Sequence, residues 1–228
     1  MSMPFYVAPE QLMEDRADYA RKGIARGRSL IGLTYDQGIL IVAENASNTL
    51  RKVSEIYDRI AFAGVGKYNE FDQLRIAGVR HADLKGYSFS REDVDARSLA
   101  NQYAQMLGQI FTHEMKPMEV EILVAEIGQT GDEPSGQLFH LLYDGTVKDH
   151  SDFAVLGGDA EVIFERFQED YQEGLTLSTA IEIAINALSG PDRTLEPDDL
   201  EVAELSHSNG RRAFRRIEGE ELLGHMPS

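Results

Sequence analysis

The sequence of 228 residues contains no cysteine, which excludes a disulfide framework, thiolate catalysis and cysteine-ligated zinc, and fits a reducing compartment. The N-terminal stretch MSMPFYVAPEQLMEDR lacks the basic region and apolar run of a secretory signal. The longest apolar runs, such as residues 39–43, fall far short of the roughly 20 residues that span a membrane. We therefore expect a soluble, cytoplasmic, globular protein.

Basic residues are scarce, and their shortage is uneven along the chain. The formal net charge is −17; residues 1–113 hold 14 basic and 14 acidic side chains, whereas residues 114–210 hold 4 basic and 22 acidic ones. Nucleic acid is excluded as a partner because no surplus of basic surface exists to displace its counterions. RRAFRR (211–216) could bind phosphate, but we interpret it as an exposed strand with outward charges. The six histidines lack ligand spacing, so we predict no metal site and no cofactor.

The hydrophobic patterns predict a single α+β domain. Two hairpins, two helices, strands, two further helices and final strands suggest antiparallel sheets stacked on each other with helix pairs outside. The predicted helices cover residues 8–23, 67–80, 96–113, a stretch from 157 to 167 and one from 176 to 189. The predicted strands lie in the hairpins 29–45 and 52–65, and at 119–127, 137–143, 146–150, 200–206 and 212–217.

Familiar catalytic motifs are incomplete in this sequence. AGVGKYNE resembles a phosphate-binding loop, but Ala61 replaces its first glycine and Tyr68 its magnesium-binding hydroxyl. His113-Glu114 begins like a zinc-protease helix, but Pro117 replaces the second histidine. No Gly-x-Ser-x-Gly elbow occurs. The residues alone therefore indicate a scaffold or binding protein.

One basic pair raises a question that the local pattern leaves open. In SNTLRKVSEIYD (47–58), Arg51 and Lys52 open a predicted strand. Lys52 either solvates the surface, as most isolated lysines do, or awaits an anion.

Long segments resemble proteasome core-particle subunits of the N-terminal nucleophile hydrolase superfamily, and more narrowly the α-subunits of actinobacterial proteasomes. The matching stretches are residues 9–45, 50–83, 99–112 (LANQYAQMLGQIFT), 116–126 (KPMEVEILVAE), 142–147 (LYDGTV) and 211–217. The resemblance covers essentially the whole chain. It implies a four-layer αββα sandwich with a helix before the first strand.

The resemblance also separates catalytic β-subunits from α-subunits. A β-subunit starts its first strand with a threonine that acts as nucleophile and base. Arg28 stands at that position, the first threonine is Thr34 inside the strand, and Glu44 matches the supporting aspartate. The resemblance therefore implies a non-catalytic subunit of a threonine-protease complex.

For architecture, the resemblance implies a heptameric ring, with six further α-subunits, that caps a ring of catalytic β-subunits and gates the entry of unfolded protein substrates. Residues 1–8 would form the gating arm, with Met3, Phe5, Tyr6 and Val7 plugging the pore. Helix 9–23 would lie on the outer face, 29–217 would form the core and 218–228 a mobile tail. The Tyr-Asp pair of archaeal and eukaryotic arms is absent.

The resemblance implies a role for Lys52 as well. It would lie between adjacent α-subunits and pair with the C-terminal carboxylate of an activator, a ring-shaped ATPase that unfolds tagged substrates in the pupylation pathway. Gly27 and Gly66 match positions of the same pocket, although plain turn glycines remain an equal interpretation.

Two other functions stay open. One is an active N-terminal nucleophile hydrolase, either a β-type subunit or a self-processing amidase, with Ser29 near the required site. The other is a free adaptor that does not assemble.

Overall fold

The computed structural model describes residues 8–47, 49–128 and 136–227. Its strands form two five-stranded antiparallel sheets. The strands are β1 (Leu30–Tyr35), β2 (Gly38–Glu44), β3 (Val53–Tyr57), β4 (Ile60–Gly66), β5 (Val120–Ile127), β6 (Gly136–Leu141), β7 (Val147–His150), β8 (Phe153–Leu156), β9 (Leu200–Ser206) and β10 (Phe214–Ile217). The helices are α1 (Pro9–Ile24), α2 (Tyr68–Ser88), α3 (Ala96–His113), α4 (Ala160–Asp170), α5 (Leu177–Ser189) and α6 (Gly219–Leu223).

The sheets stack face to face between two helix pairs, which makes four layers. The first sheet has the order β10-β9-β2-β1-β8 and the second the order β3-β4-β5-β6-β7. Helices α4 and α5 cover the first sheet, and α2 and α3 cover the second. This is the predicted αββα sandwich, with α1 ahead of its first strand.

The composition of β2 explains why the sheet is covered on both faces. Successive side chains of a strand point to opposite faces, so Ile39 and Ile41 enter the core between the sheets while Leu40 and Val42 meet the helices. All seven residues of β2 are buried. An apolar strand without alternation is the expected sequence for such a doubly covered position.

Helix ends follow local signals in the sequence. Helix α1 begins at Pro9, whose missing N–H costs nothing in the first turn. Asp95 and Thr176 cap α3 and α5 by accepting a hydrogen bond from the backbone N–H three residues later. Gly190, with φ of 65°, ends α5. The predicted bounds of these helices agree with the structure to within a residue.

Two elements were missed or misjudged from the sequence. Helix α2 continues to Ser88, eight residues past its predicted end at 80, because no proline interrupts it and Gly86 packs against Tyr57. Strand β8 was not predicted. Its four residues pair with β1 at the sheet edge, and so short an apolar run has no periodicity to identify it.

The C-terminal segment also differs from expectation. Residues 218–228 were expected to be a mobile tail, yet residues 219–223 form helix α6. Leu222 is buried against the cluster beneath α4 and α5, so the segment is tied to the first sheet. Across the described residues, no helix is both long and apolar enough to cross a membrane.

Candidate functional site

Lys52 precedes β3 and reaches across to the other sheet. Its ammonium donates hydrogen bonds to the backbone carbonyl oxygens of Arg28, at 2.7 Å, and of Glu44, at 2.9 Å. Both carbonyls belong to the open end of the β1–β2 hairpin. Since an ammonium has three N–H groups, these two bonds fix its position and leave one donor to offer an anion.

The surroundings of Lys52 make its charge costly. Burial lowers the pKa of the ammonium to about 8, although the carboxylates of Glu44 and Glu201 act in the opposite direction. Lys52 therefore remains mostly protonated at neutral pH while being poorly solvated. A carboxylate that docked beside it would supply the missing partner charge.

Gly27 and Gly66 lie against each other beside this lysine. A Cβ atom on Gly27 would lie 2.9 Å from the backbone nitrogen of Gly66. Gly66 has φ of 96°, a conformation that favours glycine, and a Cβ there would collide with the carbonyl oxygen of Glu119. Close packing thus explains both glycines, and their contact with a docked tail stays a prediction.

Backbone connections join Lys52 to this glycine pair. Gly27 precedes Arg28, whose carbonyl oxygen accepts from Lys52. The carbonyl oxygen of Lys52 in turn accepts from the N–H of Gly64 at 3.1 Å, two residues before Gly66. The fold therefore brings together all three residues predicted for docking, although they are far apart in sequence.

Arg28, the residue that the resemblance aligns with the catalytic threonine of β-subunits, forms an ion pair. The Arg28 Nε atom lies 3.3 Å from Glu44 Oε1. Arg193 approaches the same carboxylate with both terminal nitrogens, at 3.0 and 3.2 Å. Glu44 is buried, so the two arginines neutralise a carboxylate that lies next to Lys52.

Sequence reasoning missed the residue that holds the backbone of Lys52. The buried carboxylate of Glu201 accepts hydrogen bonds from the backbone N–H groups of Lys52, at 2.8 Å, and Val53, at 3.2 Å. Asn45 and Arg216 also donate to it, at 3.0 and 2.6 Å. The only hint in the sequence is that Glu201 is an acidic residue within the largely apolar strand LEVAELS. Its hydrogen-bond partners belong to other elements, so the local pattern does not reveal them.

Three of the four arginines of RRAFRR are engaged with carboxylates, which argues against phosphate binding by these three. Arg212 pairs with Glu55. Arg215 bridges two glutamates, one on β9 and one on α6. Arg216 pairs with Glu201.

A second charged cluster borders Gly66. Lys116 lies 2.7 Å from a carboxylate oxygen of Glu70 and 2.8 Å from one of Glu119. Lys67, whose side chain is half exposed, lies 3.5 and 3.8 Å from the same two carboxylates. This network fixes the turn at the end of β4. It leaves the Lys67 ammonium at the protein surface, next to Gly66 in the chain.

Two other predictions concern the arm and metals. The predicted gate residues Met3, Phe5, Tyr6 and Val7 lie outside the described residues. Within the described ranges, no three histidine or carboxylate side chains converge in a way that could hold a metal ion.

Comparison with known proteins identifies the family. The family model described as "Proteasome subunit" matches residues 24–204. A protein named proteasome subunit alpha from Acidimicrobium ferrooxidans is 64% identical over 100% of this chain and 98% of its own length. Proteins of the same name from Xylanimonas cellulosilytica and Sanguibacter keddieii are 54% and 56% identical, over 97% of this chain and 95% and 88% of their own lengths. The chain therefore belongs to the proteasome subunit family, among the α-subunits of actinobacteria.

Proposed function

We propose that this chain is the non-catalytic α-subunit of a cytoplasmic proteasome core particle. Seven copies form an outer ring on a ring of β-subunits, gate the entry of unfolded substrates and dock a ring-shaped ATPase. Full-length similarity to proteins named proteasome subunit alpha supports the assembly. One observation supports the docking: the Lys52 ammonium is held by two carbonyl oxygens with a donor to spare.

The absence of catalysis rests on the start of β1. Arg28 stands where a β-subunit has its nucleophile, and its guanidinium is paired with Glu44. An arginine has no hydroxyl or thiol with which to attack a peptide carbonyl. Helix α1 also precedes the strand, so no free amine lies there to act as base.

The free energy of docking at Lys52 is modest for one subunit, but the contacts of several subunits together bind the ATPase ring strongly. A charge-assisted hydrogen bond between an ammonium and a carboxylate contributes roughly 1.5–3 kcal/mol. When several tails of one ATPase ring enter several pockets, each later contact forms at a high effective concentration. Weak individual contacts can then hold the two rings together and still exchange.

The substitution Lys52→Ala tests the proposal in core particles assembled with a cognate β-subunit. We expect native mass measurement to show intact rings, while degradation of a folded protein substrate in the presence of the ATPase falls at least tenfold. Lys148→Ala, which removes an exposed lysine from β7, is the matched control and should degrade the substrate normally.

Undiminished degradation with Lys52→Ala would refute docking at this lysine. A native mass of a single subunit, even with β-subunits present, would instead favour a free adaptor. Labelling of this chain by a covalent threonine-protease probe would revive a catalytic role.

A further inference from the structure

We propose that Glu201 is the positioning residue for Lys52: it fixes the start of β3 from the opposite sheet and so sets where the ammonium stands. The proposal rests on the docking function above and adds a residue to it. Glu201 lies on β9 of the first sheet, whereas the segment that it holds belongs to the second.

The need for such a residue follows from the place of β3. This strand is the edge of its sheet, so one side of its backbone has no neighbouring strand to bond. Buried N–H groups without a partner are costly. Glu201 accepts from two successive N–H groups of the segment, those of Lys52 and Val53, and thereby replaces the missing strand at that point.

The carboxylate is itself fixed by its neighbours. Its side chain is 2% exposed, and a buried carboxylate is tolerated when it is paired and hydrogen-bonded. Arg216 donates to it at 2.6 Å and also bonds the carbonyl oxygen of Val53. Asn45, next to Glu44 in the chain, donates at 3.0 Å. The carboxylate therefore has little freedom to move and transmits its position to the backbone of Lys52.

The same contacts connect the lysine to the C-terminal part of the fold. Arg216 lies on β10, which leads into α6. Arg51, the residue before Lys52, lies 3.2 Å from Glu218 at the start of that helix. Both ends of the short Lys52 segment are thus attached to the β9–β10–α6 unit. The position of that unit therefore helps to set the position of the Lys52 backbone.

The charges that face Lys52 give the test a readout beyond stability. Glu44 on β2 and Glu201 on β9 favour its charged form, and Arg28 before β1 opposes it. Arg193 lies behind Glu44, and Arg216 behind Glu201. Loss of the Glu201 charge would therefore shift the titration of Lys52 to lower pH. A purely structural role would leave this titration in place.

The experiment uses core particles reconstituted with β-subunits and a seven-residue peptide carrying the C-terminal sequence of the ring-shaped ATPase from the same genome. Hydrolysis of a fluorogenic peptide is measured against the peptide concentration between pH 6.5 and 9, each variant relative to its own unstimulated rate. The same peptide with an amidated C-terminus controls for the carboxylate and should not stimulate.

We expect Glu201→Gln to raise the half-maximal peptide concentration about tenfold and to move the alkaline loss of stimulation to lower pH. Glu201→Asp keeps the charge but withdraws it from the two N–H groups, so it should weaken stimulation with little change in the pH midpoint. Glu204→Gln is the matched control: Glu204 is a buried glutamate of the same strand, paired with Arg215 and pointing to the opposite face. It should match the wild type in both measurements.

The inference would be overturned if Glu201→Gln particles showed the same half-maximal peptide concentration and the same pH midpoint of stimulation as the wild type. Should that variant fail to assemble, Glu201→Asp decides, because wild-type stimulation by it would also overturn the inference. Lys52→Ala separates the two proposals. If the peptide stimulates Lys52→Ala particles normally, the proposal of docking at Lys52 is refuted. If the peptide does not stimulate Lys52→Ala particles but stimulates Glu201→Gln particles normally, only the proposal of positioning by Glu201 is refuted.

Discussion

At the scale of single residues, the candidate site is a balance of charges rather than an isolated lysine. Lys52 lies between two buried carboxylates, Glu44 and Glu201, and each carboxylate has an arginine partner. The resemblance to a known family predicted Lys52, Gly27 and Gly66. It did not predict Glu201, whose bonds cross between sheets and leave no local pattern in the sequence.

The pKa of Lys52 predicts a distinctive dependence of stability on pH. The folded protein holds the ammonium at a pKa of about 8, whereas the unfolded chain restores the ordinary value of 10.5. Between these values the unfolded state binds more protons, so stability rises with pH. The charge of Lys52 thus destabilises the folded protein fully below about pH 8. This destabilisation declines as pH rises from about 8 towards 10.5.

The variant Lys52→Met isolates this effect. From pH 8 to pH 10 we expect the free energy of unfolding of the wild type to increase relative to that of the variant, on the order of 2 kcal/mol. Denaturant unfolding of the isolated chain at several pH values measures the difference. Parallel pH profiles for the two proteins would show that Lys52 is not desolvated in the folded state.

At the scale of elements, the sequence predicted those whose signals are local. Helices α1, α3 and α5 carry their own start or stop residues, and both predicted hairpins formed with their expected turns. Strand β8 and helix α6 were not predicted because both depend on distant parts of the chain. β8 exists through pairing with β1, and α6 through burial of one leucine.

Helix α6 offers a direct test of that dependence. Leu222 is 3% exposed, whereas the adjacent Leu223 is 58% exposed. Truncation of a buried leucine removes apolar contacts and leaves a cavity, so Leu222→Ala should lower the free energy of unfolding by about 2 kcal/mol. Leu223→Ala, the matched control, should change it by less than about 0.5 kcal/mol.

Chemical denaturation of both variants measures the difference. Equal and small losses would mean that α6 is not attached to the first sheet in solution. The connection from Arg51 to Glu218 would then lose its support.

At the scale of the whole molecule, the four-layer sandwich is the part that sequence patterns predicted best. Apolar strands without alternation require cover on both faces, and two sheets between helix pairs provide it. The proposed ring, by contrast, would depend on surfaces that one chain cannot satisfy alone. Its prediction came from resemblance and not from the periodicity of any segment.

The proposed gating role belongs to this scale because it would require seven arms around one pore. Deletion of residues 1–7 should speed the hydrolysis of small peptides by the assembled particle several-fold, since entry would no longer be obstructed. Steady-state hydrolysis of a fluorogenic peptide, with native mass as a check on assembly, measures the effect. A rate equal to that of the full-length particle would argue against a gate formed by this arm.

The carbonyl cradle of Lys52 has a consequence for how this site tolerates evolutionary change. The two groups that hold the ammonium are backbone carbonyls, which every amino acid supplies, even though they belong to Arg28 and Glu44. Substitutions at those two positions can therefore accumulate without removing either acceptor, as long as the end of the hairpin keeps its course. The carbonyl acceptors of the lysine are inherited with the fold, whereas the backbone of Lys52 is held by one particular side chain, that of Glu201.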